Sequence, residues 1–459
     1  MLFRHESRLP FPPQDVFAWH TRAGAFERLA PPWADIRVRE RKGTIRDGDE
    51  VLFDIAKGPA RFTWRARHRE FEEGRRFTDE QVEGPFKRWV HQHHFEPDGE
   101  GGTRVLDEIE WDAGATPGAG ALVQPDLERT FAFRQGRLMH DLTLHGRWQG
   151  RPRLTVALTG GHGLIGTSLE SFLTAGGHRV VPFVRSREEA EKVPGAIYWN
   201  PDENEIDAEG LRGVDAVVHL AGEPIVQLPR WTAEKKKRIL ESRVKGTTLI
   251  SGAIAGMHEN GPRTLVSGSA VGYYGDRGDE VLTEDAKPGK GFLADVVKAW
   301  EDATRRAKGA GVRVVNLRTG PVLSAAGGML GKVLIPFRLG LGGRLGSGKQ
   351  FLPWIDMDDM MGIILHALMD EKLSGPVNAC APNAVTNAAF TDVLGRVLDR
   401  PTMIPAPALA IKLGMGEMGE QTLLYGQRAR PARLLEAGYG FLFDGIEESL
   451  RFQLGRPLA

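Results

Sequence analysis

The chain has 459 residues, too many for one ordinary hydrophobic core, so we expect two or three domains. Its 60 basic and 60 acidic side chains balance, which argues against a nucleic-acid-binding protein. No apolar run approaches the roughly 20 residues of a membrane-spanning helix, and residues 1–14 lack a signal-peptide pattern, so we expect a cytoplasmic protein with no membrane span. The single cysteine, Cys380, excludes an internal disulfide and a thiolate metal cluster, and we expect it to be a small buried residue.

Residues 1–150 show the alternation of apolar and polar side chains that is typical of antiparallel strands. Six segments carry it, with turn residues between them: IRVRERKG, DEVLFDIA, ARFTWRARHREF, RRFTDEQV, RWVHQHHFEP and TRVLDEIEWD. A helical stretch over residues 15–29 precedes this sheet. A long helix follows the sheet, and its apolar face is formed by Leu127, Phe131, Leu138 and Leu142. The order predicts an α+β domain in which the long helix covers a curved sheet.

The segment RWVHQHHF contains three histidines that could be considered as metal ligands. On a strand, His91 and His93 share one face while His94 points to the other. A metal site would need a further ligand, such as His68 from a neighbouring strand. Solvent-facing or cavity-lining histidines explain the pattern better, so we predict no metal site.

The segment WQGRPR separates this region from one that alternates strands with helices. The predicted strands are LTVALTG, HRVVPFVR, DAVVHLAG, RTLVSGSA and VRVVNLRTG. This alternation predicts an α/β fold, a Rossmann-type doubly wound parallel sheet. From about residue 325 the sequence is irregular and glycine-rich, as expected for a smaller substrate-facing part. We predict domain ranges of 1–150, 151–375 and 376–459.

The stretch TGGHGLIG, residues 159–166, follows the first of these strands and precedes a predicted helix. Gly160 would allow the tight turn, Gly163 the close approach of backbone to a pyrophosphate, and Gly166 the close packing of helix on strand. The phosphate would bind at the helix N-terminus, beside Leu164 and Ile165. The context predicts a dinucleotide site, and a glycine loop of another α/β protein is the alternative.

Arg185 lies at the end of the second strand, 19 positions after Gly166. An acidic residue near this spacing normally binds the ribose 2′-hydroxyl, whereas an arginine can bind a 2′-phosphate through two hydrogen bonds. Arg187 could share this task. The pattern predicts NADP as cofactor, and two solvated surface arginines are the alternative.

Five motifs, in this order, resemble the extended short-chain dehydrogenase/reductase superfamily: TGGHGLIG, VVHLAGEPI, VSGSAVGYYG, LRTGPVL and FLPWIDMDDM. The likeness is to the epimerase-like subfamily with an extra C-terminal domain of the DUF1731 type, and it spans residues 154 to about 455. The first region resembles START-like (SRPBCC) helix-grip modules in architecture.

The resemblance implies that Leu220, Ala221, Gly222 and Ser267 bind the cofactor. It also implies that Ser269, more than Ser267, is the catalytic serine, and strand-end serines satisfied by backbone are the alternative.

The chain departs from that family at the catalytic Tyr and Lys. Counting back from Glu301, their positions fall on Leu293 and Val297, and Lys298 is one residue away, which rotates it by about 100° on a helix. Tyr273 and Tyr274 are the nearest candidates for a proton donor, with packing around the nicotinamide as the alternative.

Asp356, Asp358 and Asp359 cluster in a later segment, and we expect helix capping rather than metal binding from them.

Two functions remain open. The first is an NADP-binding oxidoreductase or epimerase-like protein with a small-molecule substrate, fused to a module that binds an apolar ligand or a partner. The second is a catalytically weak, NADP-sensing regulator or scaffold, of the kind linked to cell division in some relatives. A weaker third idea is that the first domain carries a lipid or polyketide to the second. The sequence decides neither the reaction nor the oligomeric state.

Overall fold

The computed structural model describes residues 1–57, 60–99, 101–114, 119–226, 228–257 and 260–457. They fall into two compact units. The first unit comprises Met1–Arg151, Ser171–Gly177 and Phe452–Ala459, and the second comprises Pro152–Glu170 and His178–Arg451. The finer division at residues 151 and 376 stays a prediction. Among the described residues, no helix is long and apolar enough to cross a membrane.

Within Met1–Arg151, the described residues of the first unit form an antiparallel sheet and three helices. In chain order its elements are β1 (Leu2–Leu9), α1 (Pro13–His20), α2 (Ala25–Leu29), β2 (Asp35–Lys42), β3 (Glu50–Lys57), β4 (Ala60–Glu72), β5 (Arg76–Glu83), β6 (Arg88–Asp98), β7 (Gly102–Asp112) and α3 (Ala119–Gly146). The strand order is β1-β7-β6-β5-β4-β3-β2. This arrangement confirms the predicted helix-grip fold, with all six predicted strands in place.

The core of the first unit lies between the sheet and α3. Leu138 and Leu142 of α3 join Phe77 and Phe95 of the sheet in one buried cluster. Leu127 and Phe131 are buried as well, so the predicted apolar face of α3 is confirmed. The predicted helix over residues 15–29 is instead two short helices, because the chain turns at Gly24 in the left-handed region, with φ of 88°.

The second unit is built from alternating strands and helices. The elements as far as the fifth strand of the predicted series are β8 (Thr155–Thr159), α4 (Leu164–Ala175), β9 (Arg179–Val184), α5 (Arg187–Lys192), β10 (Ile197–Asn200), β11 (Glu205–Ile206), β12 (Ala216–His219), α6 (Ala233–Gly256), β13 (Thr264–Ala270), β14 (Val281–Leu282), α7 (Phe292–Asp302), α8 (Arg305–Gly309) and β15 (Arg313–Thr319). The remainder are β16 (Val322–Leu323), α9 (Gly328–Arg338), β17 (Phe351–Leu352), β18 (Ile355–Asp356), α10 (Met357–Met369), β19 (Gly375–Ala379), β20 (Val385–Thr386), α11 (Asn387–Leu398), α12 (Ala408–Gly419), β21 (Arg428–Ala429), α13 (Ala432–Glu436) and α14 (Ile446–Gln453).

The main sheet of the second unit has the order β11-β10-β9-β8-β12-β13-β15-β19. All neighbours are parallel except β10 and β11. This confirms the predicted Rossmann-type sheet. From β8 the chain moves first toward β9 and later, through β12, in the opposite direction. The switch point between β8 and β12 is where open α/β sheets bind their ligands.

Candidate functional site

The glycine loop follows β8 at this switch point, and two of its positions leave no room for a side chain. Gly160 has a φ of 73°, and a Cβ built on it would lie 2.9 Å from the carbonyl carbon of Leu220. A Cβ on Gly166 would lie 2.1 Å from the carbonyl oxygen of Gly160. Gly163 donates its backbone N–H to that same oxygen over 2.9 Å. Glycine is therefore required by the tight turn at Gly160 and by the close packing at Gly166.

Helix α4 begins immediately after the turn, with Leu164 and Ile165 as its first residues. The first N–H groups of a helix have no partner within it, so they are available to an anion in front of the loop. The loop and the helix start therefore fit a dinucleotide pyrophosphate.

Arg185 and Arg187 lie just beyond the end of β9, the strand next to β8. Because parallel neighbours end at the same edge of a sheet, these side chains share the edge with the glycine loop. Arg185 contacts Asp202 over 3.1 Å, and Arg187 contacts Glu205 over 2.7 Å. Both arginines are largely exposed, and exposed ion pairs are weak, so a phosphate can displace these carboxylates.

The segment after β12 is tied to the glycine strand through one hydroxyl. Thr159 Oγ1 accepts hydrogen bonds from the backbone N–H of Leu220 at 3.1 Å and of Ala221 at 3.2 Å. Its own hydrogen can then be donated only to His219 Nδ1, which lies 2.7 Å away. The other ring nitrogen, Nε2, faces Thr247 Oγ1 at 3.1 Å. His219 is thus held as a neutral ring, and Thr159 fixes the predicted cofactor-binding residues Leu220 and Ala221.

Burial lowers the pKa of His219 to about 4, and the charge of Arg243 adds to the effect. The same arginine packs against Gly222, where a Cβ would lie 3.3 Å from its guanidinium carbon. The described structure therefore places Leu220, Ala221 and Gly222 opposite the glycine loop, across the switch point.

The two predicted serines of β13 differ in their surroundings. Ser267 is fully buried, and its hydroxyl donates to the carbonyl oxygen of Gly268 over 3.2 Å. Ser269, two residues nearer the strand end, donates to Glu301 Oε1 over 2.7 Å. Because that hydroxyl donates its hydrogen to Glu301, its oxygen lone pairs remain free to accept a hydrogen bond from a substrate. Ser269 has the better geometry for a catalytic role.

The two tyrosines form a turn after β13 and also differ. Tyr274 is fully buried, donates to Asn378 Oδ1 over 2.6 Å and accepts from Arg318 over 3.0 Å. Burial raises its pKa to about 12. Tyr273 is only half-buried, and the Arg318 guanidinium lies 3.5 Å from its ring centroid. The surroundings of Tyr274 make it a structural residue, which leaves Tyr273 as the proton-donor candidate.

Helix α7 contains the positions where the resembled family has its Tyr and Lys. Val297 is buried and Leu293 is half-buried. Lys298 is exposed and lies 3.4 Å from Asp302 on the same helix. No amine from this helix therefore reaches the end of β13.

An ion pair that the sequence analysis missed stands in this region. Arg318 of β15 binds Glu301 of α7 through two hydrogen bonds, Nε to Oε1 at 2.8 Å and Nη2 to Oε2 at 2.9 Å. Both side chains are mostly buried, at 3% and 14% exposure. Each residue carried one signal in the sequence: Glu301 is the position from which the Tyr and Lys positions are counted, and Arg318 lies in the motif LRTGPVL.

Two of the three aspartates after β17, Asp356 and Asp359, bind backbone groups. Asp356 caps α10, because its side chain accepts a hydrogen bond from the backbone N–H of Asp358 over 2.7 Å, as expected. Asp359 instead accepts from the backbone of Leu442 and Phe443, 2.8 and 3.1 Å away. Capping is therefore right for Asp356 and wrong for Asp359, which holds the C-terminal segment.

The two histidines on the inner face of β6 are not solvent-facing. His91 and His93 are buried on one face of β6, as their spacing predicts. His93 also lines a cavity of about 30 Å³. The third residue beside them is Asp79 rather than His68. His68 lies one strand further, and its Nδ1 is 3.2 Å from the carbonyl oxygen of Asp49.

A glycine turn at the switch point of a parallel sheet, closed on its other side by the segment after β12, is the arrangement of a Rossmann-type dinucleotide-binding domain. Residues 156–380 match the NAD dependent epimerase/dehydratase family, residues 406–453 match a domain of unknown function (DUF1731), and residues 9–139 match the family of polyketide cyclases, dehydrases and lipid transport proteins. The chain belongs to the NAD-dependent epimerase/dehydratase family, and the resemblance seen in the sequence is confirmed.

Three relatives show how far the similarity extends. An epimerase family protein of Mycobacterium bovis is 43% identical over 302 residues, 66% of this chain and 98% of that protein. The crystal structure of a nucleoside-diphosphate sugar epimerase from Corynebacterium glutamicum is 35% identical, with a TM-score of 0.82 over 99% of this chain and 90% of that one. The human epimerase family protein SDR39U1, crystallised with NADPH, is 37% identical, with a TM-score of 0.59 over 65% of this chain and 98% of that one.

Proposed function

We propose that this chain binds NADP(H) at the glycine loop and uses it as an oxidoreductase or epimerase-like enzyme on a small-molecule substrate. The observation that carries the proposal is the loop itself, where Cβ atoms on Gly160 and Gly166 would overlap the backbone. Gly163, Leu164 and Ile165 would face the pyrophosphate, and Arg185 would bind the 2′-phosphate. The human relative crystallised with NADPH supports this choice of cofactor.

The chemistry would take place at the end of β13. A bound nicotinamide supplies hydride transfer. Ser269 Oγ would accept a hydrogen bond from a substrate hydroxyl while it donates its own hydrogen to Glu301 Oε1. A proton that leaves the substrate would pass to Ser269 Oγ as the serine proton passes to the Glu301 carboxylate. In the reductive direction Tyr273 would donate the proton. The pair of Ser269 and Glu301 would thereby do part of the work of the absent Tyr and Lys.

Titration calorimetry with NADPH and NADH tests the cofactor proposal. We expect NADPH to bind more tightly than NADH, and Arg185→Glu to remove that preference because a carboxylate repels the 2′-phosphate. Arg179→Glu is the matched control, since Arg179 is an exposed residue at the opposite end of the same strand. Equal affinity for the two cofactors in the wild type would refute the NADP preference, and no binding of either would refute the nucleotide site.

The regulator is the second candidate, and the apolar residues Leu293 and Val297 at the Tyr and Lys positions favour it. NADPH consumption with a panel of carbonyl compounds separates the two candidates. Turnover that Tyr273→Phe and Ser269→Ala both lower supports the enzyme. Tight NADPH binding without turnover of any compound supports the regulator.

The first domain is part of either proposal as a ligand-binding or partner-binding module. A cavity beneath α3 measures about 30 Å³, room for about two water molecules, and seven of its eleven lining residues are polar or charged. It is too small for a lipid, so carriage of a lipid or polyketide would require this domain to open. Native mass spectrometry of the purified chain tests this third idea, because a carrier should retain an apolar ligand.

A further inference from the structure

Four ionisable side chains meet on the inner face of the first unit's sheet, and none of them takes part in the function proposed above. Asp79 of β5 lies directly opposite His91 of β6, and Asp107 of β7 lies directly opposite His93 of β6. We call these four residues the histidine–aspartate cluster. Both imidazoles are buried, at 4% and 8% exposure, and Phe131 of α3 packs against the His91 ring.

The two aspartates contact the two imidazoles from different sides. Asp79 Oδ2 lies 3.3 Å from His91 Nδ1 and 3.1 Å from His93 Nε2. Asp107 Oδ1 lies 3.0 Å from His91 Nε2 and 2.7 Å from His93 Nδ1. Each ring therefore presents one nitrogen to Asp79 and the other to Asp107.

The side of Asp79 has the dimensions of a metal site. One ligand atom each from Asp79, His91 and His93 lie within 4.8 Å of one another. Zinc binds nitrogen and carboxylate oxygen at about 2.0–2.2 Å, so two ligand atoms of a tetrahedral site lie roughly 3.3 Å apart. The contacts of Asp79 with the two rings, 3.3 and 3.1 Å, are close to that separation.

The side of Asp107 has the geometry of a supporting carboxylate. Histidines that bind a metal usually donate their other N–H to a carboxylate, which fixes the tautomer and the ring orientation. Asp107 is placed to accept that N–H from both rings. A single carboxylate would thus orient both imidazole ligands.

The charges admit a divalent cation. Two neutral imidazoles, two carboxylates and the nearby Arg134 guanidinium, which acts on both carboxylates, sum to minus one, so the cluster is anionic before a cation binds. A set of two histidines and one carboxylate leaves a coordination position open, as in catalytic zinc sites. The small cavity that touches His93 and Asp107 can supply water close to the cluster.

We propose that the first domain binds one divalent transition-metal ion of the zinc class. Asp79, His91 and His93 are the ligands and Asp107 is the positioning residue. The sequence favoured solvent-facing or cavity-lining histidines because it could not show which carboxylates lie across the strands from them. The proposal is independent of NADP binding, since all four residues lie in the first unit.

Titration of the metal-free full-length protein with Zn²⁺, followed by calorimetry, tests the proposal. We expect one equivalent to bind tightly and His93→Gln to abolish that binding. Asp107→Asn keeps all three ligands and should weaken affinity by roughly 10- to 100-fold. The control is His94→Gln, because His94 points to the opposite face of the same strand and should leave affinity unchanged.

The test remains decisive if a variant fails to fold. Co²⁺ bound to the wild-type chain should give the intense visible bands of four-coordinate cobalt, and X-ray absorption of the zinc form should show two imidazole nitrogens. Absence of a tight equivalent in the folded wild type would overturn the proposal. Equal zinc affinity in folded His93→Gln, or the weak bands of octahedral cobalt, would show adventitious surface binding and would overturn it as well.

Discussion

Arg318 connects most of the candidate catalytic region through one guanidinium group. It binds Glu301 of α7 through two hydrogen bonds, donates to the Tyr274 hydroxyl and donates to the backbone oxygen of Glu284. The plane of the group also lies over the Tyr273 ring. Removal of the guanidinium would leave the Glu301 carboxylate beside Ser269 without its cation. The side chain that orders the site is therefore one that touches neither substrate nor cofactor in the proposed reaction.

Arg318→Met should destabilise the second unit by about 3–5 kcal/mol, because it leaves a mostly buried carboxylate uncompensated. Urea denaturation gives the free energy of unfolding. Arg305→Met is the matched control, since Arg305 contacts Asp302 over 2.6 Å but is exposed, and such pairs contribute about 0–1 kcal/mol. Equal losses for the two variants would contradict the structural role of Arg318.

At the scale of elements, the turn from β8 into α4 fixes the nucleotide site through packing of backbone on backbone. Gly160 and Gly166 approach each other so closely that neither the turn nor the helix start can move alone. The site therefore depends on one strand, one turn and one helix acting as a single element.

Gly166→Ala should displace this turn, because its Cβ would lie 2.1 Å from the Gly160 carbonyl oxygen. We expect a loss of stability of about 1–3 kcal/mol and a loss of NADPH affinity of at least about tenfold. Thermal unfolding and calorimetry measure these two effects. Gly256→Ala at the end of α6 is the control, since no atom lies within 4 Å of its Cβ and the change should be neutral or slightly stabilising. Unchanged NADPH binding in Gly166→Ala would refute the assignment of the turn.

The elements that the sequence predicted are those whose signal is local. The five predicted strands of the second unit and the glycine turn are read from consecutive residues, and the fold confirms these strands. Three strands of the main sheet, β10, β11 and β19, were missed because they are only two to five residues long. In addition, β19 begins with Gly375 and Pro376, which are unfavourable in strands. Strands this short carry too little periodicity to be distinguished from loops.

The parts of the site that sequence could not give are contacts between distant elements. Glu301 and Arg318 are on a helix and a strand, and their pairing depends on how α7 packs. Asp79 lies beside His91 because of the register between β5 and β6, and a shift of one residue would turn it to the other face. The choice between Tyr273 and Tyr274 likewise depends on burial, which two adjacent tyrosines do not reveal in sequence.

For the whole molecule, acid stability depends on groups whose pKa differs between the folded and unfolded chain. His219 is such a group, with a pKa lowered from 6.5 to about 4. A proton on Nδ1 would face Thr159 Oγ1, which already accepts two backbone hydrogen bonds. The unfolded chain binds that proton more readily than the folded one, so protonation favours unfolding. The stabilisation from neutral His219 is complete above about pH 6.5 and declines as the pH falls toward 4.

Linkage between these two pKa values predicts that His219 alone accounts for a loss of about 2 kcal/mol between about pH 7.5 and pH 5. The His219→Asn variant has no titrating group at this position. Between about pH 7.5 and pH 5 its free energy of unfolding, measured in urea, should therefore fall by about 2 kcal/mol less than that of the wild type. His162→Asn is the control, because His162 is exposed and should leave the pH dependence of the wild type intact. If the free energy of unfolding of His219→Asn fell with falling pH as steeply as that of the wild type, acid unfolding would be caused by other groups. The contact of His219 with Thr159, which joins β12 to β8, would then not determine the pH at which the molecule unfolds.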